Sequence, residues 1–193
     1  SAADIIVNNG AKFTIYLALQ AIINPGDVVL LPTPAWVSYK PMIELAGGVV
    51  REIPAGPDSD FKMTPLQLDE ALAAGARALI FNSPSNPCGT MYTPDEVAAL
   101  IQVIRKHPSI AVIADEIYEQ LIYTEAPYCS MASDPEIADR VITINGLSKT
   151  FAMTGWRIGY ACATDPDGAV IKAMTRLQSQ MTSSITSFLM SSI

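Results

Sequence analysis

The sequence is poor in the groups from which many catalytic chemistries begin. Its one histidine, His107, precedes Pro108 at the end of an expected helix. Capping of that helix accounts for it, and a Cys–His or Ser–His enzyme would have its only base at an ordinary helix end. The three cysteines, Cys88, Cys129 and Cys162, are odd in number, widely spaced and unlike any metal-ligand pattern. They read as reduced thiols, so a cytoplasmic protein is expected, and no metal site. No apolar run reaches the roughly 18 residues of a membrane span, and no charged-then-apolar leader is visible. Lys and Arg number 12 against 19 Asp and Glu, a net charge of −7. That balance argues against nucleic acid or an anionic membrane as a partner. Only 16% of residues are charged and 50% are hydrophobic, which excludes a disordered chain and allows one domain with a substantial core.

Against this sparse charge, the stretch Asn145-Gly-Leu-Ser-Lys149-Thr-Phe-Ala-Met-Thr-Gly-Trp-Arg157-Ile-Gly159 stands out. It carries one lysine, with an arginine following eight residues later. Gly146, Ser148, Ala152, Gly155 and Gly159 surround the lysine with small side chains. Desolvation in such surroundings disfavours the ammonium and lowers the lysine pKa, the state a Schiff-base lysine needs. Arg157 is a fixed planar cation suited to a phosphate. Together they suggest a lysine that carries an aldehyde cofactor and an arginine that holds its phosphate. Either residue alone is equally well read as solvated, on a loop or a strand edge.

The rest of the chain alternates strands with helices. Ile5–Val7, Asp27–Leu31, Val49–Ile53, Ala78–Phe81, Ile110–Ala114, Arg140–Ile144 and Trp156–Cys162 read as strands. Lys12–Ile23, the run after Trp36, the run from Thr64-Pro65, Val97–Lys106 and Val170–Met181 read as helices. A further helix is expected to begin near Ser183. The Thr64 helix runs through Leu66, Leu68 and Leu72 to Gly75, and Tyr123–Asp139 reads as loop with short helix. This order argues for an α/β domain with a mostly parallel sheet. Gly10, Trp36, Asn86, Asp115 and Lys149 all follow strand ends, the edge at which open α/β sheets bind ligands. Gly10-Ala11-Lys12 opens a helix, whose free N–H groups suit an anion, although an ordinary turn explains it as well. Asp115 directly follows a buried apolar run, where a carboxylate is costly unless paired. A pyridinium N–H would be such a partner; helix capping is the plainer alternative. An Asp-Glu pair at a strand end could also hold Mg²⁺, but no Gly-x-x-x-x-Gly-Lys loop accompanies it.

The lysine stretch resembles the signature of class I/II pyridoxal-phosphate aminotransferases, and the likeness extends to other segments. Asn9-Gly-Ala-Lys12 resembles the turn at the cofactor phosphate, and Pro34-x-Trp36-x-x-Tyr39 the segment whose aromatic ring stacks on the cofactor. Asn82-Ser-Pro-Ser-Asn86-Pro-Cys-Gly89 is similar to the Asn-Pro-x-Asn-Pro-Thr-Gly loop, with Cys88 where threonine is usual, and Asp115-x-x-Tyr118 is the family's Asp-x-x-Tyr. The resemblance implies that Lys149 carries pyridoxal 5'-phosphate as a Schiff base and serves as catalytic base and acid. It implies that Arg157, Gly10, Ala11 and Lys12 bind the phosphate, with Ser148 beside Lys149 in the cofactor site. Trp36 would stack on the pyridine ring, and Asn86 would bond its phenolic oxygen and the substrate carboxylate. Asp115 would hold the ring nitrogen, and Tyr118 the phenolic oxygen.

The implied architecture is the fold type I large domain, three layers (α/β/α) around a mostly parallel seven-stranded sheet, formed as one domain by residues 1–193. The family's N-terminal arm and C-terminal small domain are expected outside these residues, and little turnover by the chain alone. The implied activity is transfer of an amino group between an amino acid and a 2-oxo acid by a homodimer. Aspartate, alanine, aromatic and kynurenine aminotransferases would look alike here. A pyridoxal-phosphate C–S lyase, or an aminotransferase-like sensing or dimerisation module, are the alternatives.

Overall fold

The structure, a computed structural model, describes residues 1–187. Strand β1 (Ile5–Asn8) leads through a tight turn into helix α1 (Ala11–Ile22). Then follow β2 (Val28–Thr33), α2 (Tyr39–Leu45), β3 (Val49–Pro54), α3 (Pro65–Ala73) and β4 (Ala78–Asn82). The second half contains α4 (Pro94–Arg105), β5 (Ala111–Asp115), β6 (Val141–Gly146), the single-turn α5 (Leu147–Thr150), β7 (Gly159–Ala163) and α6 (Ala169–Met181). Helices α3 and α4 begin as the sequence predicts. Thr64 and Thr93 accept the backbone N–H of Gln67 and Glu96, whose side chains return to the cap backbone, and a proline opens each helix.

The strands form one sheet in the order β1-β7-β6-β5-β4-β2-β3. Strand β7 runs antiparallel to both neighbours, and all other pairs are parallel. Side chains alternate across the pleat and are buried on both faces, as a sheet covered by helices on both sides requires. Val29, Leu31, Ile80, Ile113 and Ile144 pack with α1, α2 and α6. Leu30, Leu79, Phe81, Val112 and Ala114 pack with α3 and α4. These are the three layers expected from the sequence. The same alternation assigns the last residues of β4 and β5: Asn82 shares the face of Ile80, and Asp115 the face of Ile113, toward α1 and α2.

Three local expectations are corrected. Trp156 is not in the last strand; it ends a one-turn 3-10 segment, Thr154–Trp156, and Arg157 takes a left-handed backbone with φ 53° before β7 begins. His107 does not cap its helix with its ring: Nε2 lies 3.3 Å from Asp69 Oδ1 on α3, while Arg140 donates to the carbonyls of Ile104 and His107. Leu66 is exposed, and Leu68 and Leu72 alone turn inward. The helix expected from Ser183 lies mostly outside the described residues.

The third correction concerns the small residues of the lysine stretch. They do not desolvate Lys149, which is exposed. Two of them, Gly146 and Gly159, let backbones meet. A Cβ on Gly159 would strike the backbone of Gly10 and Ala11, and one on Gly146 would lie 2.7 Å from the Ile158 carbonyl. Strand β7 is thereby pressed against the start of α1. Gly159→Ala is expected to destabilise the protein by about 1–3 kcal/mol, the usual cost of overpacking. Gly155→Ala, which has open space around it, is expected to stay within about 0.5 kcal/mol. Urea unfolding of the two variants beside the parent measures both; equal stability of the two would refute the close-approach role of Gly159.

Candidate cofactor site

At the carboxyl edge of the parallel strands lies a cavity of about 340 Å³, within the usual size of small-molecule pockets. Its walls come from five separate segments: Ala11 and Lys12; Trp36 and Tyr39; Asn86; Asp115, Ile117 and Tyr118; and Ser148, Lys149, Thr154 and Arg157. The sequence-predicted residues therefore converge, with Gly10 lying buried just behind the wall.

One corner is built for an anion. Gly10 caps α1 with φ 89°, a conformation that favours glycine, and its carbonyl accepts the Thr14 hydroxyl at 3.1 Å. The first N–H groups of α1 have no intrahelical partner by helix geometry and carry the positive end of the dipole. The guanidinium of Arg157 occupies the space that a Cβ on Gly10 would need. The left-handed turn at Arg157 brings the side chain there, with Nη1 donating to the Thr154 carbonyl at 3.0 Å. Lys12 also lines the corner, but its ammonium rests over the Trp36 indole, 4.9 Å from the ring centroid.

The opposite wall carries one buried carboxylate. Asp115 is 3% exposed. Its Oδ2 accepts the Tyr39 hydroxyl at 2.6 Å, and its Oδ1 the Ile117 N–H at 3.3 Å. Burial raises the Asp115 pKa from 3.8 to about 6, against the opposing pull of those two donors. No cation is paired with it among the described residues. The adjacent Glu116 is turned elsewhere: Ser130 donates to it at 2.6 Å, and Tyr128 is a second hydroxyl partner. The two carboxylates are thus separately engaged. Asn82 joins Asp115 to the next loop, donating to the Asp115 carbonyl at 2.9 Å while its Oδ1 accepts the Asn86 N–H at 2.9 Å. Lys149 lines the same cavity, its Nζ 5.7 Å from the Tyr118 ring centroid.

Residues 1–192 match the family described as aminotransferase class I and II. The chain belongs to this family. It is 44% identical over 182 residues to the aspartate/prephenate aminotransferase of Cereibacter sphaeroides, covering 94% of this chain and 45% of that protein. It is 45% identical over 186 residues to the aspartate aminotransferase of Geobacillus stearothermophilus, covering 96% of this chain and 46% of that protein. The fold superposes on the aspartate aminotransferase structure from Rhizobium meliloti with TM-score 0.93 at 37% identity, covering 97% of this chain and 46% of that one. The chain thus spans about half the length of the curated relatives it matches.

Members of the aminotransferase family use pyridoxal 5'-phosphate, and the cavity fits that molecule on its own chemistry. It offers an anion corner at one end and an uncompensated buried carboxylate at the other, suited to a phosphate and a protonated ring nitrogen. An indole, a phenol, an amide and an amine lie on its walls. Among its lining residues, Tyr39, Ile117 and Thr154 went unrecognised from sequence, as did Asn82 behind the wall. Tyr39 was in view in the Trp-x-x-Tyr spacing, but nothing local indicates that its partner lies 76 residues away.

The buried carboxyl makes stability depend on pH. In the folded protein Asp115 keeps its proton up to about pH 6, whereas its reference value is 3.8. Between these values the folded state binds more protons than the unfolded, so stability falls as pH rises through that window and levels off above it. The full loss is on the order of 3 kcal/mol. Urea unfolding of the cofactor-free protein across this range should show the decline, and Asp115→Asn should flatten it. An unchanged slope in that variant would remove Asp115 as its source.

Proposed function

We propose that the protein transfers amino groups between amino acids and 2-oxo acids by means of pyridoxal 5'-phosphate, as a homodimer in the cytoplasm. Residues 1–193 act as one cofactor-binding unit. The observation that carries this reading is a single cavity lined by an anion corner, a buried carboxylate with no cation bonded to it and an exposed lysine. The names of the relatives make aspartate the first amino acid to test. Three unpaired thiols fit a reducing compartment. Exposed Phe151 and Trp156, close in sequence to Lys149 and Arg157, offer apolar surface that a second copy can cover.

In this role the start of α1, Arg157 and Ser148 would hold the phosphate, with Lys12 completing the same corner. Trp36 would cover one face of the ring and exclude water from it. Asp115 would hold a proton on the ring nitrogen, and Tyr118 and Asn86 would bond the phenolic oxygen. When bound, pyridoxal phosphate supplies an aldehyde that condenses with amines and a ring that accepts electrons. Lys149 would be the amine that holds the aldehyde, and its free amine would serve as base and then acid, taking the proton from the substrate α-carbon and returning it.

Pyridoxal phosphate followed by borohydride should fix one adduct, on Lys149, as read by peptide mass; a main adduct on Lys12 or Lys172 would overturn the assignment. Lys149→Ala should bind the cofactor without the adduct. Arg157→Ala should weaken binding about tenfold or more, the worth of a charged hydrogen-bond pair. A coupled assay with aspartate and 2-oxoglutarate tests the transfer itself.

A further inference from the structure

We propose that Tyr39 is a positioning residue for the reaction: its hydroxyl keeps the Asp115 carboxylate ionised and fixes it at the cavity wall, ready to hold a protonated ring nitrogen. The functional consequence rests on the cofactor reading above; the hydrogen bond is present without it. Asp115 ends the central strand β5 with almost no access to water. A carboxyl so placed tends to take up a proton, and a neutral carboxyl cannot stabilise a cation beside it. Two donors oppose that tendency. The Ile117 N–H is long, at 3.3 Å, while the Tyr39 bond is short, at 2.6 Å, and links two buried side chains. The phenol itself is held protonated, because burial and the neighbouring Asp115 charge push its pKa well above 10. Tyr39 therefore remains a donor at any pH at which the protein is folded and working.

The same side chain reaches the ring-stacking wall. Trp36 meets Tyr39 edge-on, with centroids 5.3 Å apart and planes at 88°. Tyr39 thus contacts both Asp115, which would meet the ring nitrogen, and Trp36, which would stack on the ring. The other titratable groups around this cavity are Lys12 from α1, Tyr118 after β5, Lys149 on α5 and Arg157 before β7. None of the three cations is bonded to Asp115, and among the described residues its one short donor is the Tyr39 hydroxyl.

The test is Tyr39→Phe, which keeps the ring and its contact with Trp36 and removes only the hydroxyl. In the cofactor-free protein, the Asp115 carboxyl carbon is followed by NMR against pH. Loss of a hydrogen bond to a charged group should move its midpoint up by about one pH unit. Pyridoxal phosphate affinity, measured by equilibrium titration, should fall about threefold near pH 6.5 and approach a tenfold loss at lower pH, and the gap to the parent should close as pH rises above the new midpoint. An unmoved midpoint, with weaker binding by the same factor at every pH, would make Tyr39 a packing residue and overturn the proposal. Should Tyr39→Phe fail to fold, 3-fluorotyrosine at position 39, a stronger donor of nearly the same shape, should move the midpoint down instead; no movement or an upward one would overturn it. A shifted midpoint in a protein that takes up no pyridoxal phosphate would refute the cofactor reading while leaving the Tyr39–Asp115 coupling intact.

Discussion

A carboxylate at the end of a central strand, closed off from water, is the constraint around which this protein is arranged. Burial of that charge is unfavourable by itself. The chain meets the cost in part with the Tyr39 hydroxyl and the Ile117 N–H, and leaves the remainder uncompensated. Such a residual is what a cationic ligand atom can relieve. The alternating pleat of β5 turns Asp115 toward α1 and α2, so the unsatisfied charge faces the layer that also carries the anion corner and the indole.

The remainder of the site follows from how the sheet edge is closed. Strand β7 enters antiparallel between β1 and β6, and Gly159 permits it to lie directly against Gly10 and Ala11. That contact joins the beginning of the chain to the segment just after Lys149. Arg157, in a left-handed turn immediately before β7, is carried over the Gly10 turn by the same geometry. The lysine, the arginine and the helix start are thus positioned by one backbone approach in which there is no room for a Cβ.

A second network keeps the two loops at the opposite wall in register. Asn82 bonds the Asp115 carbonyl with its amide nitrogen and the Asn86 N–H with its oxygen. Asn86 and Asp115 are thereby linked through one side chain, although they belong to different strand–loop connections. The exposed Lys149 contrasts with the buried, hydrogen-bonded Asp115: its ammonium faces the Tyr118 ring at 5.7 Å.

Much of this was legible in the sequence, because the signals are local. Strand and helix periods, threonine–proline helix starts and glycine turns depend on neighbours within a few residues, and they gave the order of elements and the α/β class. The likeness to class I/II aminotransferases added the proposed roles of Lys149, Asp115 and Arg157, each borne on a short contiguous motif. What the sequence could not carry was pairing at a distance. Nothing near Tyr39 indicates Asp115, nothing near Gly159 indicates Gly10, and nothing near His107 indicates Asp69. The small residues around Lys149 looked like a desolvating pocket because a sequence shows composition but not direction; in the fold they serve backbone contact, and the amine is left exposed. Local propensity thus determined which segments exist and which chemistry they hold, whereas strand order and the pleat alone decided which of those groups meet.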